Sequence, residues 1–168
     1  DGISDENDAF PTDPDRSSDV DGDGYDDLED GCMLIAGNST QDRLGCTDSD
    51  GDGYSDGDEL WTTTEGSDAF PDEATQHADQ DGDGYGDNVV GFEADDCPTT
   101  PGSSFRDVFG CDDEDADGMS DSNDAFLGEP TQWNDTDSDG YGDELNGSQG
   151  DACPNDAGTS TNDVYGCI

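Results

Sequence analysis

The sequence has almost no basic residues and few hydrophobic ones. Three lysine and arginine residues stand against 48 acidic residues, which gives a formal net charge of −45. A chain with this balance is not expected to bind nucleic acid phosphates or anionic lipid. Hydrophobic residues make up only 27%, and no apolar run approaches the roughly 18 residues that a membrane span needs. Neither a transmembrane helix nor a signal peptide is expected within these residues, and a conventional hydrophobic core is excluded.

Signals for regular secondary structure are also scarce. No stretch of ten residues has apolar positions at helical spacing, and none alternates for long enough to predict a strand. The 24 glycines and 7 prolines indicate consecutive turns. We expect at most one helical turn near Asp58 to Trp61 and short bridges between loops. Low hydrophobicity with high charge is typical of disorder, but two counts argue against it: 39 Asp against 9 Glu, and six cysteines.

The cysteines indicate internal repeats. They form three pairs with a separation of 14 positions, and a glycine follows the first cysteine of each pair at the fifth place. The triplet Asp-Ala-Phe also recurs, always 11 residues before a new acidic cluster. The sequence therefore predicts three tandem copies: residues 1–46, truncated at its start; residues 47–111, with an insertion at 60–67; and residues 112–168.

Within the copies, the pattern D-x-D-x-D-G-φ-x-D-x-x-[DE] is typical of a calcium loop, where φ is apolar or aromatic. Carboxylates at positions one, three, five, nine and twelve, with the backbone carbonyl of position seven, supply the six to seven oxygens that Ca²⁺ prefers. The glycine at position six allows the sharp turn that brings the later ligands back to the ion.

Five copies of this pattern begin at Asp19, Asp48, Asp79, Asp113 and Asp135, and we number them loops 1 to 5. The predicted ligands of loops 1, 2 and 4 are Asp19, Asp21, Asp23, Tyr25, Asp27, Asp30; Asp48, Asp50, Asp52, Tyr54, Asp56, Glu59; and Asp113, Asp115, Asp117, Met119, Asp121, Asp124. Loops 3 and 5 have Val90 and Asn146 at position twelve. The closing acid is therefore assigned five residues later, which gives Asp79, Asp81, Asp83, Tyr85, Asp87, Asp95; and Asp135, Asp137, Asp139, Tyr141, Asp143, Asp151. A partial sixth loop has Asp1, Ile3, Asp5 and Asp8.

Chance clustering of acids, or the acidic surface of a halophilic protein, would explain neither the glycine at position six nor the preference for Asp over Glu. At least five Ca²⁺ ions are expected. The number would be about twice that if further acids bridge second ions, namely Asp26, Asp42, Asp58, Asp96, Asp107 and Asp163. Adjacent carboxylates repel one another, so the loops are expected to hold their shape only when loaded.

The alternation of these loops with Cys-Pro, in Asp95–Pro98 and Asp151–Pro154, resembles the thrombospondin type 3 repeat. The segment Cys97–Gly102, closing with Asp107–Cys111, is also similar to the calcium-binding linker of some outer-membrane porins. The resemblance implies an elongated array with little regular structure, wound around a line of Ca²⁺ ions and stapled by disulfides. It departs from the family where Met33 replaces the proline and at the insertion of residues 60–67.

The cysteines themselves are expected to form disulfides. Zinc binding is disfavoured because the chain has one histidine and no C-x2-C spacing. Six cysteines allow fifteen pairings, but an array of repeats favours pairing within one copy, which gives Cys32–Cys46, Cys97–Cys111 and Cys153–Cys167. Disulfides indicate an oxidising compartment, so we expect an extracellular or cell-surface location.

Several smaller features accompany the loops. Three Asn-x-Ser/Thr sequons are candidate glycosylation sites, at Asn38, Asn134 and Asn146. The aromatic residues at fixed repeat positions are expected to form small clusters over each loop, and His77 replaces Trp133 as one of them. EF-hands and dockerins are disfavoured because no amphipathic helices flank the loops.

No enzyme is predicted, because the carboxylates are assigned to cations and the composition cannot build a dry cavity. The first hypothesis is an extracellular structural segment rigidified by Ca²⁺, acting as a stalk, adhesive or filament-forming element. The alternative is a soluble, high-capacity Ca²⁺-binding or mineral-interacting acidic protein. Expected partners are further copies of the chain or flanking repeats of a longer one, with glycans at the sequons.

Overall fold

The chain folds without helices or extended strands in the part that the computed structural model describes, residues 2–162 and 164–168. Strand-like pairing among these residues is limited to isolated β-bridge positions, one of which is the parallel bridge between Asp151 and Tyr165. Turns and bends make up most of the remaining chain. The prediction of a mostly irregular fold is confirmed.

The expected helical turn at Asp58 to Trp61 is wrong. The amide of Asp58 instead donates to the carbonyl of Trp61 at 2.8 Å, and Oδ1 of Asp58 accepts from the amides of Leu60 and Trp61. A carboxylate that bonds nearby amides stabilises a turn in competition with a helix. The following turn lies at Thr62 to Gly66, where the Gly66 amide donates to the Thr62 carbonyl at 3.1 Å.

The buried interior is polar. Among the described residues, Cys46 is the only buried hydrophobic side chain, at 1% exposure. The other fully buried side chains are polar: the hydroxyl and amide groups of residues such as Ser39, Ser104, Gln76 and Gln132, and the carboxylate of Asp151. Because buried polar groups need hydrogen-bond partners, this interior depends on specific hydrogen bonds rather than on apolar packing.

Three disulfides close rings of equal length, and the predicted pairing is confirmed. They join Cys32 to Cys46, Cys97 to Cys111, and Cys153 to Cys167, and no cysteine is free. We call residues 32–46, 97–111 and 153–167 the first, second and third rings. In each ring a serine hydroxyl accepts a hydrogen bond from the amide of the second cysteine at 2.9–3.0 Å. These serines are Ser39, Ser104 and Ser160.

The chain separates into two compact units. One contains residues up to Asp79 together with Gly86–Phe92, and the other contains Gln80–Tyr85 and Glu93–Ile168. The three-copy division of the sequence stays a prediction. No helix within the described residues is long and apolar enough to cross a membrane.

Candidate metal-binding loops

Each of the five loops brings the carboxylates of positions one, three and five together. In every loop these three side chains offer oxygens that lie within 4.8 Å of one another. The five triplets are Asp19, Asp21, Asp23; Asp48, Asp50, Asp52; Asp79, Asp81, Asp83; Asp113, Asp115, Asp117; and Asp135, Asp137, Asp139. Each triplet could hold a metal ion.

The backbone turns twice through the left-handed region in each loop. At position six the glycines have φ between 91° and 103°: Gly24, Gly53, Gly84, Gly118 and Gly140. Position four is also left-handed, with glycine in three loops and with Ala116 (φ 61°) and Ser138 (φ 64°) in the other two. Glycine adopts this conformation without steric cost, which is why the pattern requires it at position six.

Loop amides hold the triplet carboxylates in place. In loop 2, Oδ1 and Oδ2 of Asp48 accept from the amides of Gly51 (2.7 Å) and Gly53 (3.0 Å). Oδ1 of Asp52 accepts from the Tyr54 amide at 2.8 Å. The bond from position seven to position five occurs in all five loops, at 2.7–3.0 Å. It fixes the seventh residue beside the triplet; these residues are Tyr25, Tyr54, Tyr85, Met119 and Tyr141.

Other oxygens of the triplets are buried without a hydrogen-bond partner among the described residues. Loop 4 has three of them, Oδ1 of Asp113, Oδ2 of Asp115 and Oδ2 of Asp117. Loops 1, 2 and 5 each have one at position three, on Asp21, Asp50 and Asp137. A buried carboxylate oxygen without a partner is costly, and a cation would satisfy all of these oxygens.

The pKa values of the position-three aspartates of loops 1, 2, 4 and 5 are raised, which is the electrostatic consequence of this burial. Burial raises the pKa of Asp115, and the neighbouring charges of Asp117 and Asp113 raise it further. Burial and neighbouring aspartates likewise raise the pKa values of Asp21, Asp50 and Asp137. Without a cation, these loops resist full ionisation.

The carboxylate at position nine bonds the beginning of its own loop. In loops 1, 2, 4 and 5, Oδ1 of the ninth aspartate accepts from the amide of position two at 2.8–3.1 Å. These aspartates are Asp27, Asp56, Asp121 and Asp143. In loop 2 the second oxygen of Asp56 also accepts from the Ser49 hydroxyl. The ninth carboxylate therefore closes the loop on itself, and Asp87 differs in having a buried, unpartnered Oδ1 within the described structure.

The predicted closing acids of loops 1, 4 and 5 share one backbone hydrogen bond to their loops. The amides of Asp30, Asp124 and Asp151 each donate to the carbonyl of position eight at 2.7–2.9 Å. Their charges act on the triplets: Asp30 on Asp21 and Asp151 on Asp137. Asp151 lies after the five-residue insertion, and its amide nevertheless reaches position eight of loop 5.

In loop 3, the predicted closing acid Asp95 and the triplet member Asp83 both lie close to Gly110 of the second ring. A Cβ on Gly110 would lie 2.2 Å from Oδ1 of Asp95 and 3.1 Å from Oδ2 of Asp83. The two carboxylates therefore face the same point of the second ring.

In loop 2 the predicted twelfth-place ligand is Glu59, and a second acid, Asp68, also reaches the loop. Glu59 is exposed, whereas Asp68 is 4% exposed and its amide donates to the carbonyl of Ser55, position eight of the loop, at 2.9 Å. Burial, with the charges of Asp52 and Asp50, raises the pKa of Asp68 to about 6 against the hydrogen bond from the Phe70 amide. Sequence reasoning missed Asp68, although the recurring Asp-Ala-Phe triplet places it level with Asp124.

Two buried glutamines, which sequence reasoning also missed, support the five-residue insertions. Gln132 is 1% exposed. Its amide group donates to the carbonyls of Glu144 and Ser148 at 3.0 Å and accepts from the Glu144 amide at 3.0 Å. Gln76 makes the same three bonds with Asn88 and Phe92. The shared sequence Thr-Gln before His77 and Trp133 was the available signal.

Some acids considered for second ions are already hydrogen-bonded. Asp107 accepts from the amide and hydroxyl of Ser120 and from Asn123. Asp42 makes the same bonds with Ser55 and accepts from the Trp61 indole at 3.1 Å. These bonds tie the first and second rings to loops 2 and 4. Asp26, Asp58 and Asp96 also accept backbone hydrogen bonds, and Asp163 lies outside the described residues.

At the start of the chain, Ile3 and Asp5 are exposed, and Asp8 is half-buried with Oδ1 accepting from the Phe10 amide at 2.8 Å. None of the five triplets includes them. Asp1 lies outside the described residues, so the partial sixth loop stays a prediction. The three sequon asparagines, Asn38, Asn134 and Asn146, are exposed.

Aromatic residues pack beside the loops. His77 stacks on Tyr54 with ring centroids 3.9 Å apart, which confirms its prediction as an aromatic packing residue. Tyr85 contacts Phe109, and Tyr141 contacts Tyr165, each at 5.6 Å between centroids. These contacts are small local clusters.

Compared with models of known protein families and with curated proteins, the chain matches none. The resemblance to thrombospondin type 3 repeats therefore depends on the motifs quoted above.

Proposed function

We propose that the chain is an extracellular structural segment whose five loops each bind Ca²⁺ and are rigidified by it. The observation that carries the proposal is the set of buried, unpartnered carboxylate oxygens in loop 4, on Asp113, Asp115 and Asp117. Three anionic oxygens without protein donors are compensated by a cation, and an all-oxygen donor set favours Ca²⁺ over softer metals.

The three disulfides support an oxidising location, where Ca²⁺ is abundant. For sites with Kd on the order of 10⁻⁴ M in about 10 mM Ca²⁺, each ion stabilises the folded state by roughly 2.7 kcal/mol. Ion binding would thus replace much of the stabilisation that a hydrophobic core supplies elsewhere. We further propose that the copies form an elongated tandem array, serving as a stalk, adhesive or filament-forming element with other copies or flanking repeats as partners.

The experiment is native mass spectrometry of the oxidised chain with Ca²⁺, combined with small-angle scattering with and without the ion. Five or more specific ions, together with a rod-like particle that loses its shape on chelation, are expected. Two or fewer specific ions would overturn the proposal.

The alternative is a soluble Ca²⁺-binding or mineral-interacting protein, and the charge favours it. Five divalent ions carry ten positive charges, so about −35 of the −45 would remain on the loaded chain. The same scattering data separate the two functions: a buffer protein stays monomeric at high concentration, whereas a filament-forming segment associates.

A further inference from the structure

Asp68 docks on loop 2 in the way that closing acids dock on other loops. Its amide donates to the carbonyl of Ser55, at position eight, at 2.9 Å. The equivalent bonds join the amide of Asp30 to Asp26 (2.9 Å), of Asp124 to Ser120 (2.9 Å), and of Asp151 to Gly142 (2.7 Å). In all four cases the acceptor is position eight. The backbone thus delivers Asp68 to the closing position although nine additional residues precede it.

The Asp68 side chain is buried where its backbone joins loop 2. It is 4% exposed, and its Oδ1 accepts from the Phe70 amide at 2.7 Å. Asp124 makes the same bond with the Phe126 amide at 2.7 Å. Oδ2 of Asp68 is buried and has no hydrogen-bond partner among the described residues, and the charges of Asp52 and Asp50 act on this carboxylate.

A second buried, unpartnered oxygen lies in the same loop, on Asp50. Two anionic oxygens from segments 18 positions apart are therefore left without protein donors in the described structure. A cation between the triplet and Asp68 would satisfy both.

Glu59 belongs to a segment that bonds mainly within itself. Residues 59–67 contain the turn in which the Gly66 amide donates to the Thr62 carbonyl, and the Thr62 hydroxyl donates to Glu65. Glu59 is exposed, and its neighbour Leu60 is 88% exposed. This segment leaves the loop after Asp58 and returns at Asp68.

We propose that Asp68 completes the metal site of loop 2, and that Glu59, at the twelfth place, is not a ligand. The nine residues 59–67 form an excursion inserted between the eleventh and the closing position. This assignment rests on the proposed Ca²⁺ binding and specifies the ligands of one site.

The test is a Ca²⁺ titration of the full, oxidised, ¹⁵N-labelled chain by NMR. The Gly53 amide reports loop 2 because it donates to Asp48, and the Gly118 amide reports loop 4 because it donates to Asp113. Asp68→Asn is expected to weaken binding at Gly53 at least tenfold and to leave Gly118 unchanged. The asparagine keeps an oxygen for the Phe70 amide, and the stack of Tyr54 on His77 checks that the local fold persists.

Glu59→Gln is the matched control and is expected to change neither midpoint. Asp124→Asn is the positive control and should weaken only loop 4. Deletion of residues 59–67, which moves Asp68 to the twelfth place, is expected to keep the loop 2 site.

An unchanged Gly53 midpoint in Asp68→Asn would overturn the assignment. A tenfold weakening of Ca²⁺ binding at Gly53 in Glu59→Gln would also overturn it. This second variant decides the question even if Asp68→Asn disrupts the local fold. Failure of the proposed function is distinguishable, because it would remove the Ca²⁺ response of Gly118 in the unmodified chain.

Discussion

The amide of Gly158 donates a 2.8 Å hydrogen bond to Oδ2 of Asp139, nineteen residues earlier in the chain. Asp139 is the fifth-position acid of loop 5, and Gly158 lies inside the third ring. The Cys153 amide of the same ring donates to Oδ1 of Asp151, the closing acid, at 2.7 Å. The ring therefore orients two carboxylates of one loop, and its disulfide is coupled to that loop.

Removing this disulfide with Cys153→Ser and Cys167→Ser is expected to weaken Ca²⁺ binding at loop 5. A disulfide closing about 15 residues is worth roughly 3 kcal/mol, and a weakening of about tenfold requires only half of that. The Gly140 amide, which donates to Asp135 at 3.0 Å, reports loop 5 in an NMR titration. Gly118 of loop 4 should keep its midpoint, and an unchanged Gly140 midpoint would contradict the coupling.

The sequence was sufficient to predict the irregular fold and the disulfide pairing. It also predicted the five acidic triplets, because the grouping of carboxylates from alternate residues depends on the local turn alone. Asp30 and Asp124 follow the triplets within the twelve-residue spacing, and the amide of each bonds the carbonyl of position eight. Local sequence patterns predict contacts well where only a few residues, with no insertion, separate the two partners.

The path of the inserted segments could not be predicted in this way. The amide of Asp68 bonds the carbonyl of Ser55 in loop 2 after nine additional residues. The twelve-residue spacing, from which Glu59 was predicted, contains no information about this bond. The roles of Gln76 and Gln132 depend on carbonyls 12 and 16 residues later. A polar side chain in a turn-rich chain gives no periodic signal of burial, so these long-range bonds became evident only in the structure.

Gly102→Ala is expected to disrupt the second ring. A Cβ at this position would lie 2.1 Å from the backbone carbonyl carbon and oxygen of Cys111, and backbone atoms cannot move aside as a flexible side chain can. Such overpacking costs about 1–3 kcal/mol, so the denaturation midpoint of the Ca²⁺-loaded chain should fall. Gly128→Ala is the matched control, because a Cβ there has no neighbour within 4 Å among the described atoms. Equal midpoints for the two variants would contradict the close approach.

Gln132→Glu is expected to release the insertion that precedes Asp151. The carboxylate would face the carbonyls of Glu144 and Ser148, which the Gln132 amide now satisfies at 3.0 Å. Each buried hydrogen bond left unmade costs about 1–3 kcal/mol, so amide hydrogen exchange at these two residues should accelerate at least tenfold.

Gln80→Glu is the control for this change in charge. Gln80 is exposed at position two of loop 3, and loop 4 already has a glutamate, Glu114, at that position. This variant should leave the exchange of Glu144 and Ser148 unchanged. Unaltered exchange in Gln132→Glu would show that the glutamine does not hold the insertion.

The link between the second ring and loop 4 is expected to persist in mild acid. Burial opposes ionisation of Asp107, but hydrogen bonds from Asn123 and Ser120 outweigh it and hold the pKa of this carboxyl below its usual range. A lowered folded-state pKa contributes stability that is present above the unfolded value, about 3.9, and is lost as pH falls through the folded value. The Ser120 amide, which donates to Asp107 at 2.9 Å, should therefore show an NMR titration midpoint well below about 3.9.

Asn123→Ala removes a 2.6 Å donor and should raise that midpoint, because fewer hydrogen bonds then favour the ionised form. A midpoint at or above the ordinary value in the unmodified chain would show that Asp107 is not the anion holding the ring to the loop.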